Sequence, residues 1–328
     1  MNRRNFLYGS VATLVAAPGP EIRTAMIGVG SRGNGLLTQV LEQANVRVAA
    51  ICDIDPQARD RALSRAGRDN PRSFTEYRQV LDLQDVDAVV VATPCDLHAE
   101  MAALALEAGK YVYCEKPLGI TPEQVDRALK AARKAKTFVQ IGQQLRYFPG
   151  LREAIRQIHE DKILGQTFVV KAQRHSTPAR PNVTRERHSW YDDVKRSGDL
   201  IVENAVHNID CCNWILQGHP KSAYGHGKKY LPKTIPAGTV MMDGFSVSYI
   251  YDNDTYLDYS QLYLHPSALK FLANNQWYVI FGEKGAIHLT HESGATFYPS
   301  HAEPREMISA ELKAAKENAM SDFYACIR

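Results

Sequence analysis

The chain has no C-x-x-C pair, and its six cysteines follow no regular spacing (Cys52, Cys95, Cys114, Cys211, Cys212, Cys326). That points away from a cysteine-based metal or redox motif. Three of them fall in or beside predicted core strands and read as buried free thiols. The vicinal pair Cys211-Cys212 falls on a predicted helix and reads as structural. Charge of one sign is also scarce, since 39 Lys and Arg face 36 Asp and Glu for a net of +3. An imbalance that small gives no reason to expect a nucleic-acid partner. After the N-terminus no apolar run approaches the length of a membrane span. Internal repeats and low-complexity tracts are missing too. What remains is 328 residues, 45% of them hydrophobic, enough for about two domains with ample core.

The first twenty residues read differently from the rest. Arg3-Arg4 precedes a mildly apolar stretch, Tyr8 to Ala17, that ends in small residues. This is the pattern of a twin-arginine export signal, and it predicts an exported, periplasmic protein. The other reading is a disordered or helical tail that happens to hold two arginines, which would leave the protein cytoplasmic.

The most informative stretch runs from Arg23 to Asp53. An apolar run leads into Gly28-Val29-Gly30-Ser31-Arg32-Gly33, a helical pattern follows, and a second apolar run, Val46 to Cys52, ends in Asp53. Strand, glycine-rich turn, helix, strand and acidic residue is the order a dinucleotide-binding βαβ unit requires. Gly28 permits the tight turn. Gly30 lets backbone approach a pyrophosphate, and Gly33 lets the helix pack close to the sheet. The helix N-terminus offers N–H groups to phosphate. Asp53 is placed to accept hydrogen bonds from ribose hydroxyls, which favours NAD, because a carboxylate repels a 2′-phosphate. Arg59 and Arg61 nearby keep NADP open.

Strand and helix patterns alternate to about Gly142. Helices are predicted at Pro56 to Gly67, Phe74 to Asp82, His98 to Ala108 and from Thr121. Strands are predicted at Val86 to Ala92, Tyr111 to Cys114 and Thr137 to Ile141. Thr121 can cap its helix, Pro122 fits the first turn, and Gln124 completes a capping box. This succession predicts a Rossmann, doubly wound parallel sheet over residues 21–145. From Arg146 the pattern changes to α+β. An amphipathic helix around Leu151 to Ile158 comes first. A strand from Phe168 and an irregular polar loop, Ser176 to Ser197, follow. A helix from about Asn204 to Leu216 leads into alternating strands with turns at Asn253-Asp254 and Gly282 to Gly285. Residues 146–328 are expected to form a second domain with a largely antiparallel, open sheet.

Two places can carry chemistry. Glu115-Lys116-Pro117 follows a buried strand directly, so Lys116 sits at the carboxyl edge of a parallel sheet, where ligands bind. A lysine there can stabilise an oxygen that gains negative charge. The second place is a predicted helix face bearing Glu203, His207 and Asp210 at i, i+4 and i+7. A histidine between two carboxylates suits a general base. The same face also fits a solvated surface or a zinc site. No second His or Cys lies at ligand spacing on this helix, and the expectation is no metal. Thr93, Pro94, His98, Glu115 and Lys116 are expected to line the cofactor together with Gly28, Gly30, Ser31, Arg32, Gly33 and Asp53. Arg146 and Tyr147, at the boundary between the halves, and His175 and Trp190, flanking the irregular loop, are expected to meet a polyhydroxylated substrate.

These pieces together resemble the glucose–fructose oxidoreductase / inositol dehydrogenase / MocA family. The resemblance rests on Gly28 to Gly33, Asp53, Ala92-Thr93-Pro94, Glu115-Lys116-Pro117, Arg146-Tyr147 and His207-Asn208-Ile209-Asp210, in that order. It implies that Lys116 and His207 are catalytic and that the acidic residue four before the histidine assists. Here that residue is Glu203, where many members carry Asp. It also implies a sugar or cyclitol substrate, NAD as cofactor and a homo-oligomer assembled through the open sheet. Members usually continue beyond a helix like the one ending at Arg328, which predicts a truncated C-terminus. Three functions follow. The first is a dehydrogenase passing hydride between a carbinol carbon and nicotinamide. The second is a redox-neutral glycosidase that keeps its NAD, a reading the export signal favours. The third is a non-catalytic NAD-binding protein.

Overall fold

The computed structural model describes residues 20–177, 190–230, 241–252, 254–266, 268–269, 276–290, 294–309 and 318–328. The Arg3-Arg4 segment, most of the polar loop and Asn253 lie outside them.

The first layer is built from β1 (Ile22–Ile27), α1 (Ser31–Leu41), β2 (Val46–Cys52), α2 (Pro56–Arg65), β3 (Arg72–Phe74), α3 (Tyr77–Leu81), β4 (Ala88–Val91), α4 (His98–Glu107), β5 (Tyr111–Cys114), α5 (Pro122–Lys134) and β6 (Val139–Ile141). Its six strands pair in the order β3-β2-β1-β4-β5-β6, all parallel. The winding reverses between β1 and β4, which opens a crevice at the strands' carboxyl ends. Parallel strands covered on both faces should be apolar throughout. Indeed, every residue of β4 is buried, each valine contributing about 1.5–3 kcal/mol. Phe74 differs from expectation. It ends a short strand rather than opening a helix, and its carbonyl accepts the Asp53 N–H at 3.2 Å. At α5, Thr121 Oγ1 caps the Gln124 N–H, but the Gln124 side chain accepts from Ile120, one residue earlier than a capping box requires.

The second layer comprises α6 (Pro149–His159), β7 (Thr167–His175), α7 (Val194–Ser197), α8 (Asp199–Glu203), α9 (Val206–Leu216), β8 (Ser222–Lys228), β9 (Gly244–Ile250), β10 (Tyr256–Leu262), β11 (Gln276–Gly282), β12 (Gly285–Thr290), β13 (Gly294–Pro299) and β14 (Arg305–Glu306). Its eight strands run β14-β13-β12-β11-β7-β10-β9-β8, and only β7 and β10 pair in parallel. Alternation along β10 buries Leu257, Tyr259 and Gln261. Leu151 and Ile155 of α6 and Cys211, Cys212 and Ile215 of α9 pack in the same core. Elsewhere on the sheet Phe281 and Tyr298 remain exposed.

The last helix, α10 (Ala319–Ile327), returns to the first layer. Met320, Phe323 and Tyr324 join the core of Met26, Val90 and Tyr113. The Tyr324 hydroxyl lies 2.9 Å from Thr24 Oγ1. Residues 146–328 therefore contribute to both cores. Five of the six cysteines are buried free thiols, and Cys326 is exposed.

Candidate active site

The glycine turn is shaped by contact distances. A Cβ on Gly28, whose φ is +83°, would lie 2.6 Å from the Ala92 carbonyl oxygen, and one on Gly33 would lie 2.0 Å from that of Gly28. Gly30 has no heavy atom within 4 Å of such a Cβ. It faces open space at the start of α1, and no side chain caps that helix. Uncapped N–H groups beside an open glycine make a seat for an anion. Asp53 is held at its edge, its two carboxylate oxygens accepting from Val29 N at 2.7 Å and Asp55 N at 2.9 Å. Arg59 Nη1 donates to the Asp53 carbonyl at 2.8 Å.

Lys116 stands at the carboxyl end of β5, next to a cis Lys116–Pro117 peptide. Its Nζ donates to Glu203 twice, to the carbonyl at 2.5 Å and to Oε1 at 2.6 Å. Both side chains are close to buried. Glu203 Oε2 has no hydrogen-bond partner among the described residues. This is a buried pair whose acceptor capacity is not used up. Tyr191 stands close by. Burial and then the charge of Glu203 raise its pKa far above the usual phenol range, and its hydroxyl lies 3.3 Å from that of Tyr263.

The helix expected from about Asn204 to Leu216 is α9, but Glu203 is not on it. α8 ends at Glu203, whose carbonyl turns to Lys116, and α9 starts at Val206. Glu203 and His207 are thus on separate helices, not on one continuous face. His207 is buried, with Nδ1 at 2.9 Å from Gln143 Oε1. Asp210 forms a two-pronged ion pair with Arg146, at 2.7 and 2.8 Å, and the guanidinium also lies over Trp214.

The other residues expected at the site have these partners. Arg146 is paired with Asp210, and its side chain stays partly exposed. The Tyr147 hydroxyl donates to Asp322 of α10 at 2.6 Å, so it ties the helix down. His98 is turned inward, with Nδ1 2.7 Å from the Pro117 carbonyl and Nε2 2.8 Å from that of Thr93. It braces the two loops that follow β4 and β5, since only 1% of it is exposed. Burial pushes its pKa below the ordinary range, against the opposing pull of the two carbonyls and Glu115. His175 reaches Ser260 Oγ at 3.0 Å, and Trp190 packs edge-on against Tyr191. Tyr191 and Tyr263 are the partners that sequence reasoning did not place. Tyr191 lies in the irregular loop without period, and Tyr263 continues the alternation of β10, which gives a face but no partner.

Fold and cradle define a dinucleotide-binding protein of the Rossmann type with a second sheet attached. The profile of the oxidoreductase family with an NAD-binding Rossmann fold matches residues 22–143, and the GFO/IDH/MocA C-terminal domain matches residues 153–288. The chain belongs to the glucose–fructose oxidoreductase / inositol dehydrogenase / MocA family. Inositol 2-dehydrogenase of Salmonella typhimurium is 27% identical over 224 residues, which cover 68% of this chain and 61% of that protein. The chain thus spans about three fifths of the length of such relatives. A glycosyl hydrolase family 109 protein of Stenotrophomonas maltophilia is 35% identical over 139 residues, 37% of this chain and 31% of that one. Levoglucosan dehydrogenase, solved with NADH and levoglucosan, superposes with a TM-score of 0.78 at 20% identity, covering 94% of this chain and 90% of that one.

Proposed function

We propose that the protein is an NAD-dependent oxidoreductase acting on a carbinol carbon of a sugar or cyclitol. The observation that carries this reading is the buried Lys116–Glu203 pair at the carboxyl end of β5. It lies one residue from Glu115, whose carboxylate meets Arg32 of the cradle helix. The relatives are named for inositol and levoglucosan, both polyhydroxylated rings. Gly28, Gly30 and the first turn of α1 would hold the pyrophosphate, and Asp53 the adenosine ribose, in favour of NAD over NADP. When bound, the nicotinamide supplies a carbon that accepts hydride. Lys116 donates to the substrate oxygen and favours its negative charge. Glu203 Oε2 accepts from a substrate hydroxyl and so fixes its orientation. His207, held through Nδ1 at 2.9 Å from Gln143 Oε1, takes the hydroxyl proton.

A second reading is favoured by the glycosyl hydrolase relative. In it a ring carbon would be oxidised by hydride loss to bound NAD+, the aglycone would leave by elimination, water would add to the double bond so formed, and the hydride would return to the carbon, with no net change in NAD. The export signal read in the sequence fits this version, since a periplasmic enzyme would keep its cofactor. We also assign self-association to the sheet surface that exposes Phe281 and Tyr298. Incubation with an aryl glycoside and with free polyols separates the readings. NADH accumulation on polyols without aglycone release supports the dehydrogenase, and aglycone release without NADH supports the glycosidase. Neither product from a broad panel would overturn both and favour a non-catalytic NAD-binding protein.

A further inference from the structure

Arg32 stands where two lines of contact meet. It lies in the first turn of α1, inside the glycine motif, and its side chain is 42% exposed. Along the first line, Nε and Nη2 both reach Glu115 Oε1, at 2.7 and 2.6 Å. Glu115 is nearly buried, and its Oε2 accepts the Lys116 backbone N–H at 3.3 Å. Gly142 leaves room for this carboxyl group, since a Cβ there would come within 2.9 Å of it. Along the second line, Arg32 Nη2 donates to Gln144 Oε1. The neighbouring Gln143 holds His207 Nδ1. One guanidinium in the phosphate-seat helix is thus linked, through a single residue or an adjacent pair, to both Lys116 and His207.

We infer that Arg32 is a positioning residue that locks the phosphate cradle to Lys116 and His207, instead of a direct ligand to the cofactor phosphates. The kinetic part of this inference rests on the NAD-dependent reading above. The guanidinium suits the task because its planar fork meets a carboxylate and an amide at once, which a lysine cannot do. Swinging it onto a phosphate would leave Glu115 buried without its counter-charge, an unfavourable exchange. The consequence is a rigid path from the cradle helix to Lys116 and His207, which fixes their alignment without adding to cofactor affinity.

Arg32→Met alone strands Glu115, so the test uses the double variant Arg32→Met/Glu115→Gln, which removes both charges and keeps their bulk. Calorimetric titration with NAD+ reads affinity, the nitrogen-15 signals of the His207 ring read its environment, and kcat is taken on any polyol the wild type oxidises. The expected result is NAD+ affinity within about threefold of wild type, displaced His207 signals and kcat down about tenfold or more. An affinity loss of about thirtyfold or more would make Arg32 a phosphate ligand and overturn the inference. Unchanged His207 signals would overturn it as well. Arg32→Lys gives an independent check, because it keeps a point charge but loses the fork. A positioning role requires displaced His207 signals and reduced kcat there, whereas a phosphate ligand would tolerate lysine. If the wild type oxidises no polyol, the functional reading fails, and affinity with the His207 signals still decides the role of Arg32.

Discussion

At the scale of single residues, the site depends on a buried ion pair. Lys116 and Glu203 lie in a setting where removing one partner leaves a charge without compensation, at a cost of about 3–5 kcal/mol. Lys116→Met should therefore melt lower than wild type, and Glu203→Gln added to it should recover part of the loss. Equal melting of the single and double variants would contradict a coupled pair. A second prediction concerns protons. Burial lowers the pKa of His98, of His175 (with His265 adding repulsion) and of His288. Each binds protons less readily folded than unfolded, so their contribution is complete above the ordinary histidine pKa of about 6.5 and is lost as pH falls below it. Urea midpoints should drop between about pH 7.5 and pH 5.5. His98→Phe should flatten part of that drop, and an unaltered slope would remove His98 from the account.

At the scale of elements, the glycine turn separates a packing role from a binding role. Gly33→Ala should destabilise the fold, because its Cβ would lie 2.0 Å from the Gly28 carbonyl oxygen. Gly30→Ala has open space around it and a negative φ of −63° in an extended conformation, outside the left-handed region. It should leave melting unchanged while weakening NAD binding about tenfold or more. A stable Gly33→Ala protein, or a Gly30→Ala protein with full affinity, would undo the assignment of roles. This turn, with β4 and β5, was legible in the sequence because local pattern determines it: glycines at fixed offsets and unbroken apolar runs. The break between α8 and α9 was not, since it depends on Lys116 reaching the Glu203 carbonyl from 87 positions away. The partners of Arg146 and Tyr147, Asp210 and Asp322, were not legible either. A sequence gives residue types at a boundary but not which partner each long polar side chain will find.

At the scale of the whole molecule, α10 carries chain from beyond the second sheet back to the first. Phe323 packs edge-on against Tyr113 and Phe138 at 5.8 and 5.7 Å, fully buried. Phe323→Ala should cost about 3–5 kcal/mol and lower NAD affinity, because the core it leaves supports β1 and α1. A loss confined to the second sheet, read by hydrogen exchange, would count against this bridging. The central claim is that Lys116 serves the reaction and not the seating of the cofactor. It is tested most directly on folded Lys116→Met, by measuring NAD+ affinity and the rate of NADH formation with a polyol side by side with wild type. The expected result is near-normal affinity with the rate reduced about a hundredfold or more. Undiminished NADH formation, or loss of NAD+ binding with the rate per bound cofactor intact, would contradict it.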